Sequence, residues 1–156
     1  MTTKRNIFYF ILIGLMIAVL SGAVIIASIK NMYDKQSQGF VDALVPVIAA
    51  DWDMQVIRNH ASKEFNATID YDTLEQFLEL LHGLGELQQY NGSIGEATIT
   101  ISLLHGIIIT ADFEASADFE SGSAEILISL VKRDDRWQIL GFTVNPGESE
   151  EQDDVI

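Results

Sequence analysis

The chain has 156 residues, no cysteine, and 23 acidic side chains against nine Lys and Arg, a formal charge of −14. The missing cysteine excludes disulfides, thiolate nucleophiles, cysteine-held zinc or iron–sulfur centres and a lipidated cysteine anchor. So acidic a body repels phosphate backbones, and no nucleic-acid partner is expected.

The charge is unevenly spread. Residues 1–30 carry three basic and no acidic groups, residues 31–146 six basic and eighteen acidic, and the last ten residues five acidic and none basic. After a six-residue head (1–6), Ile7 to Ile29 run 23 positions without a charge. At about 1.5 Å per residue this is roughly 34 Å of helix, enough to cross a hydrocarbon core. Lys4 and Arg5 precede the run, and Lys30 and Lys35 follow it. The short basic head favours a single-pass signal-anchor, N-in and C-out, because exporting it would carry two cations and the α-amino group across. The body is then expected outside the inner (plasma) membrane, in the periplasm or extracellular space. Ser21-Gly22-Ala23 offers a signal-peptidase site and the alternative of a secreted protein. Cleavage there would leave Val24 to Ile29 as an apolar stub, so the uncleaved anchor is favoured.

Residues 30–39 are polar and read as a juxtamembrane linker or the start of a helix. Phe40, Val41, Leu44, Val47 and Ile48 make a helical stripe that Pro46 should end or kink. Asp51 reads as the N-cap of a second segment to about His60, with Trp52, Val56 and Ile57 facing inward. The clearest helix is "DTLEQFLELLHGLG": Asp72 and Glu75 have capping-box spacing, and Leu74, Phe77, Leu78 and Leu81 form one face. Gly83 or Gly85 supplies its left-handed stop.

Beyond Gly85 the period becomes two. Asn91-Gly92 reads as a tight turn. In "EATITISLL", Ala97, Ile99, Ile101 and Leu103 share a face, and His105-Gly106 reads as a turn or bulge. In the next strand Ile109, Ala111, Phe113, Ala115, Ala117 and Phe119 oppose Thr110, Asp112, Glu114, Ser116, Asp118 and Glu120. Two further strands are expected at about 124–132 and 136–144, joined by the charged turn Lys132 to Arg136. Helices followed by an antiparallel meander predict an α+β body at 40–145 with helices packed on a curved sheet, then an acidic tail at 146–156.

The segments "ADWDMQVIRNHAS", "FLELLHGLGEL" and the closing "FESGSAEILISLVKRDDRWQILGF" resemble small extracytoplasmic domains of the nuclear-transport-factor-2-like, or cystatin-like, superfamily. The hairpin pattern, with its charged turn and Trp-x-Ile-x-Gly-Phe, is the most specific part. The resemblance implies a cone of helices wrapped by a curved antiparallel sheet, often paired as dimers, and gives architecture far better than function.

Enzymes of that superfamily place an acid and hydrogen-bond donors inside the cone. The inward row Ile109 to Phe119 has no group for proton transfer or oxyanion binding, so no catalysis is expected. The carboxylates Asp112, Glu114, Asp118 and Glu120 read as a solvated strand face rather than a metal site, and no cofactor is expected. Asp51, Asp53 and His60 are weak polar candidates for an acid–base pair, with capping and the helix dipole the plainer explanation. His82 reads as a helix C-terminal partner and His105 as a turn residue. Asn66-Ala67-Thr68 and Asn91-Gly92-Ser93 match the glycosylation pattern, and the terminal Asp154-Val155-Ile156 reads as a frayed tail. The leading expectation is a membrane-anchored, non-catalytic interaction or assembly module, meeting a protein partner or a second copy. The alternative is a binder of a small apolar ligand in a pocket lined by Phe77, Phe113, Phe119 and Trp137.

Overall fold

A computed structural model describes the backbone of residues 2–104 and 106–147, with side chains from Tyr9 onward. The chain divides into two compact units, residues 1–33 and 34–156. His105 and residues 148–156, including Asp154-Val155-Ile156 and most of the acidic tail, lie outside the described residues.

The first unit is the N-terminal part of helix α1 (Thr2–Asp51). Its apolar run is long enough to cross a membrane, and none of its most apolar stretch is buried. A helix that is apolar all round and uncovered has the pattern of a membrane segment or a signal sequence. The two serines within it do not disturb that pattern. Ser28 Oγ donates to the Val24 carbonyl at 2.8 Å, and Ser21 Oγ donates to the Ile17 carbonyl, so both hydroxyls are satisfied within the helix.

The second unit begins at Asp34, six residues earlier than Phe40, the start expected for the body. Residues 30–39 lie wholly within α1, which settles the choice between linker and helix in favour of helix. Ser37 is fully buried, so packing has already begun there. α1 also passes through Pro46 and ends only at Asp51. Trp52 then takes a left-handed backbone (φ 46°), which stops the helix, and Asp53 rather than Asp51 caps the next one.

Helices α2 (Met54–His60) and α3 (Lys63–Thr68) are each closed at their start by a side chain. Asp53 accepts from the Gln55 amide at 2.7 Å and Ser62 from the Phe65 amide at 3.0 Å. Helix α4 (Tyr71–Leu81) is capped by Asp70, not by the expected Asp72. Asp70 accepts from the Asp72 amide at 3.2 Å and from Thr73 Oγ1 at 2.7 Å. That Thr73 hydroxyl bond is the main reason the Asp70 carboxyl sits below its ordinary range. A short 3-10 turn, His82–Leu84, leads to Gly85, whose φ of 81° favours glycine and whose amide donates to the His82 carbonyl at 3.1 Å.

Four antiparallel strands follow in meander order: β1 (Leu87–Ser102), β2 (Gly106–Phe119), β3 (Gly122–Arg133) and β4 (Arg136–Pro146). The expected turn at Asn91-Gly92 is instead a bulge inside β1. Tyr90 pairs with Ala117 and Gly92 with Ser116, so the ladder continues past Asn91. Gly92 has φ 95°, and a bulge needs that backbone as much as a hairpin does. The reversal comes after Ser102, with Gly106 at φ 72°.

The core lies on one face of the sheet. Ala111, Phe113, Ala115, Ala117 and Phe119 on β2 are buried while the alternate residues are exposed. Ile126, Ile128 and Leu130 on β3 and Ile139 on β4 are fully or almost fully buried. The helices contribute Val41, Val45, Ile48, Ile57, Phe65, Leu74, Leu78 and Leu81. Each large aliphatic removed from water this way contributes about 1.5–3 kcal/mol. Gly95 is required by a close approach, because a Cβ there would lie 2.1 Å from the Asp112 carbonyl oxygen and 2.6 Å from the Phe113 ring.

Both outer strands are partly covered. On the β4 side, Ala61 forms a parallel bridge with Ile139, and the Ser62 amide donates to the Ile139 carbonyl at 2.8 Å. On the β1 side, α1 supplies Asp34, Gln38 and Asp42, spaced i, i+4, i+8 on one helix face. Asp34 Oδ1 accepts from the Ala97 amide at 2.7 Å, and Gln38 Nε2 donates to the Ser93 carbonyl at 3.0 Å. Asp42 Oδ1 accepts from Tyr90 Oη at 2.8 Å and Ser93 Oγ at 2.7 Å. Polar side chains thus satisfy backbone groups that an edge strand otherwise offers to other chains.

Candidate functional site

Asp51 and Asp53 flank the left-handed Trp52, and α4 brings Glu75, Leu78, Glu79 and His82 against them. Together they line a surface cleft of about 370 Å³. Its ionisable lining is four carboxylates and one histidine. His82 Nδ1 lies 3.0 Å from the Leu78 carbonyl, one turn back along its own helix. Trp52 is 3 % exposed and stacks on Phe119 with ring centroids 5.4 Å apart, while its indole nitrogen is buried without a hydrogen-bond partner. Among the described residues no group of three or more His, Asp or Glu is placed to hold a metal.

His60 is not part of that cleft. Its Nδ1 lies 2.8 Å from the Val56 carbonyl, and its ring meets Phe40 edge-on at 6.0 Å. Asp53 caps the opposite end of α2, so the two are about 10 Å apart along the helix and each is held locally. The structure therefore brings Asp51 and Asp53 together, and separates His60 from both.

Of the four aromatic candidates, Phe113 and Phe119 lie on the inner row of β2, Trp137 on β4 and Phe77 on α4. Phe113, Phe119 and Trp137 are buried, and Phe77 is half-buried on α4. Only Phe113 borders one of the described clefts, a shallow one on the outer sheet face shared with Ile94, Asp112, Glu114, Leu127 and Ser129. The Lys132 ammonium lies over the Trp137 ring, 5.7 Å from its centroid.

The outer face of the sheet is the most distinctive surface. No Lys or Arg occurs anywhere between Glu64 and Val131. Glu96 stands opposite Asp112, and Glu114 stands between Ile94 on β1 and Leu127 on β3. Three carboxylates of this face accept from neutral donors. Ser129 Oγ donates to Asp112 at 2.6 Å, Asn91 Nδ2 to Asp118 at 2.9 Å and Asn145 Nδ2 to Glu125 at 3.3 Å. A hydrogen bond with Glu125 and the repulsion of its charge raise the Glu114 carboxyl above its ordinary range. Within this acidic field Ile94 is 85 % exposed and Leu127 39 %. The outward carboxylates were legible from alternation; Ile94 shares the outward parity of Glu96, but a turn expected at Asn91-Gly92 left it outside the strand.

Opposite in sign is the closing hairpin. Lys63, Arg133 and Arg136 line a cleft of about 400 Å³ with Glu64, Asp134 and Gln138. Arg133 Nη2 donates to Glu64 Oε1 at 2.9 Å. A backbone hydrogen bond first, and this guanidinium second, hold the Glu64 carboxyl below its ordinary range. Asp134 and Asp135 take left-handed backbones (φ 48° and 59°), which makes the charged cluster a two-residue hairpin turn.

Neither glycosylation match presents an idle side chain. Asn66, on α3, donates to the Ser62 carbonyl at 3.0 Å and accepts from Tyr71 Oη, and Asn91 bonds to Asp118 and Gln89. No family model, curated protein or solved structure matches this chain.

Proposed function

We propose that the chain is a membrane-anchored, extracytoplasmic, non-catalytic assembly module whose outer sheet face docks a basic protein segment. The observation that carries this is the face itself: Glu96, Asp112, Glu114, Asp118 and Glu125 surround the exposed Ile94 and Leu127, and the strands supply no cation there. An apolar centre rimmed by one sign of charge suits a partner that brings an aliphatic or aromatic contact flanked by Lys or Arg. The apolar inner row of β2 supports the absence of catalysis, since it offers no acid or base to a substrate. The apolar N-terminal helix and the basic head support the anchor and its N-in orientation. Descent from the nuclear-transport-factor-2-like superfamily belongs to the same proposal, supported by the helices-then-meander order and the closing hairpin.

The partner's basic face has a counterpart on the chain itself, at Lys63, Arg133 and Arg136, so head-to-tail self-association is one form this docking takes. A photoreactive residue at Leu127, compared with one at the exposed Leu80 of α4, tests the proposal in native membranes. Adducts are expected at Leu127 alone and are expected to vanish with Glu114→Lys plus Glu125→Lys; a self-adduct would have twice the 17.3 kDa mass. Equal adducts at both positions, or adducts indifferent to charge reversal, overturn it.

A further inference from the structure

The inner row of the sheet continues beyond the part that the helices cover. Along β1 it passes from Ala97, 1 % exposed, through the half-buried Ile99 to Ile101, 78 % exposed. Ile107, which pairs with Ile101, is 68 % exposed, and Leu103 and Leu104 in the turn are 104 % and 89 % exposed. Four large aliphatic side chains therefore stand in solvent at one hairpin tip. Contiguous patches of this kind mark a surface that meets something apolar.

The charge pattern narrows what that is. From Ala97 to Ala111 there is no Asp, Glu, Lys or Arg, although Glu96 and Asp112 bound the stretch on either side. The ladder pairs Ile101 with Ile107 and Ser102 with Gly106, so the backbone close to the tip already has its partners. Paired backbone and absent charge are the two requirements for entering a lipid layer.

Position supplies the third argument. Asp34 meets Ala97, Gln38 meets Ser93 and Asp42 meets Tyr90, so α1 and β1 run in opposite senses along their shared edge. Asp34 is the first residue of the second unit. Past Ala97, β1 therefore continues toward the end of that unit at which Asp34 lies. At about 3.3 Å per residue, Ser102 lies roughly 17 Å beyond Ala97 along the strand.

We infer that the β1–β2 hairpin tip is a second lipid contact, with Ile101, Leu103, Leu104 and Ile107 entering the interfacial layer of the bilayer that anchors the chain. This rests on the membrane-anchor reading above. The tip then restricts how the domain tumbles about its tether, which a single helix does not.

The chain has no cysteine, so Leu104→Cys gives one labelling site in the full-length protein. An environment-sensitive fluorophore there is read in phosphatidylcholine vesicles with and without brominated acyl chains. Ile17→Cys serves as the anchor control and Glu125→Cys as the solvent control. Quenching by brominated lipid is expected at Leu104 and Ile17 and not at Glu125, with Leu103→Cys repeating the Leu104 result. Quenching at Ile17 without quenching at Leu104 or Leu103 overturns the inference and leaves the anchor standing. No quenching at Ile17 removes the anchor reading and the inference with it. A blue-shifted Leu104 label that grows with protein density but ignores brominated lipid puts a second copy at the tip, which also overturns it.

Discussion

Replacing Asp42 by alanine removes the acceptor shared by Tyr90 Oη and Ser93 Oγ, at 2.8 and 2.7 Å. Ser93 is only 6 % exposed and Tyr90 is half-buried, so water cannot fully replace the lost carboxylate. A hydrogen bond to a charged group is worth about 1.5–3 kcal/mol, and partial exposure discounts each of these two. Asp42→Ala is therefore expected to cost about 2–4 kcal/mol, and Asp42→Asn, which keeps one acceptor oxygen, clearly less. Urea unfolding of the full chain in nanodiscs, followed by Trp52 and Trp137 fluorescence, measures both. The Tyr90 phenol gives a second readout. Burial is the main reason it titrates above its ordinary range, and the Asp42 bond and charge add to that. Asp42→Ala should lower its titration midpoint while leaving it raised, seen as tyrosinate absorbance against a Tyr90→Phe background. Because the folded value lies above the unfolded one of about 10, the stability linked to this group is fully present below that pH. It is lost as pH climbs beyond that toward the folded value. A loss below about 0.5 kcal/mol, within the range of an ordinary surface change, or an Asn variant worse than Ala would refute the edge-sealing role.

Gly95→Ala is expected to destabilise by about 1–3 kcal/mol or more, because its Cβ would collide with backbone rather than with a movable side chain; thermal unfolding tests this. Ser62→Ala, at a fully buried cap, is expected to cost about 1 kcal/mol in the same assay, within a range of 0.5–2. Asp135→Gly is expected to stabilise by up to about 1 kcal/mol, since glycine adopts φ 59° freely and the 3.7 Å pair with Lys132 involves a fully exposed carboxylate. Glu125→Gln should move the Glu114 midpoint down toward the ordinary carboxylate range in an NMR titration. Glu114 titrates above its unfolded value, so its contribution to stability is present at low pH and fades as pH rises through the raised folded value.

The strands were legible because the sheet is one-sided: period-two alternation in β2 matches burial residue for residue from Ala111 to Phe119. The α4 face was legible for the corresponding reason at helical spacing, with Leu74, Leu78 and Leu81 buried. Asn91-Gly92 misled because positive φ serves a bulge and a turn alike. The cap moved from Asp51 to Asp53 because a tryptophan takes the left-handed backbone, which no local pattern announces. Residues 30–39 gave no packing signal because Asp34 and Gln38 act through polar bonds to a strand about sixty residues away. For the site, the outward carboxylates followed from alternation. The apolar centre depended on β1 running on through Asn91-Gly92, and the exposed Ile101 depended on where the helices stop covering the sheet.

Orientation at the membrane bears on the whole functional reading. Single cysteines at Thr3 and at Glu125 on the outer face can be probed with a membrane-impermeant maleimide in intact cells. The Glu125→Cys protein is expected to react at once and to sediment with membranes at full length, while Thr3→Cys reacts only after permeabilisation. Reaction of Thr3→Cys in intact cells with Glu125→Cys protected, or release of the labelled domain as a soluble shortened chain, would contradict a membrane-anchored module facing outward.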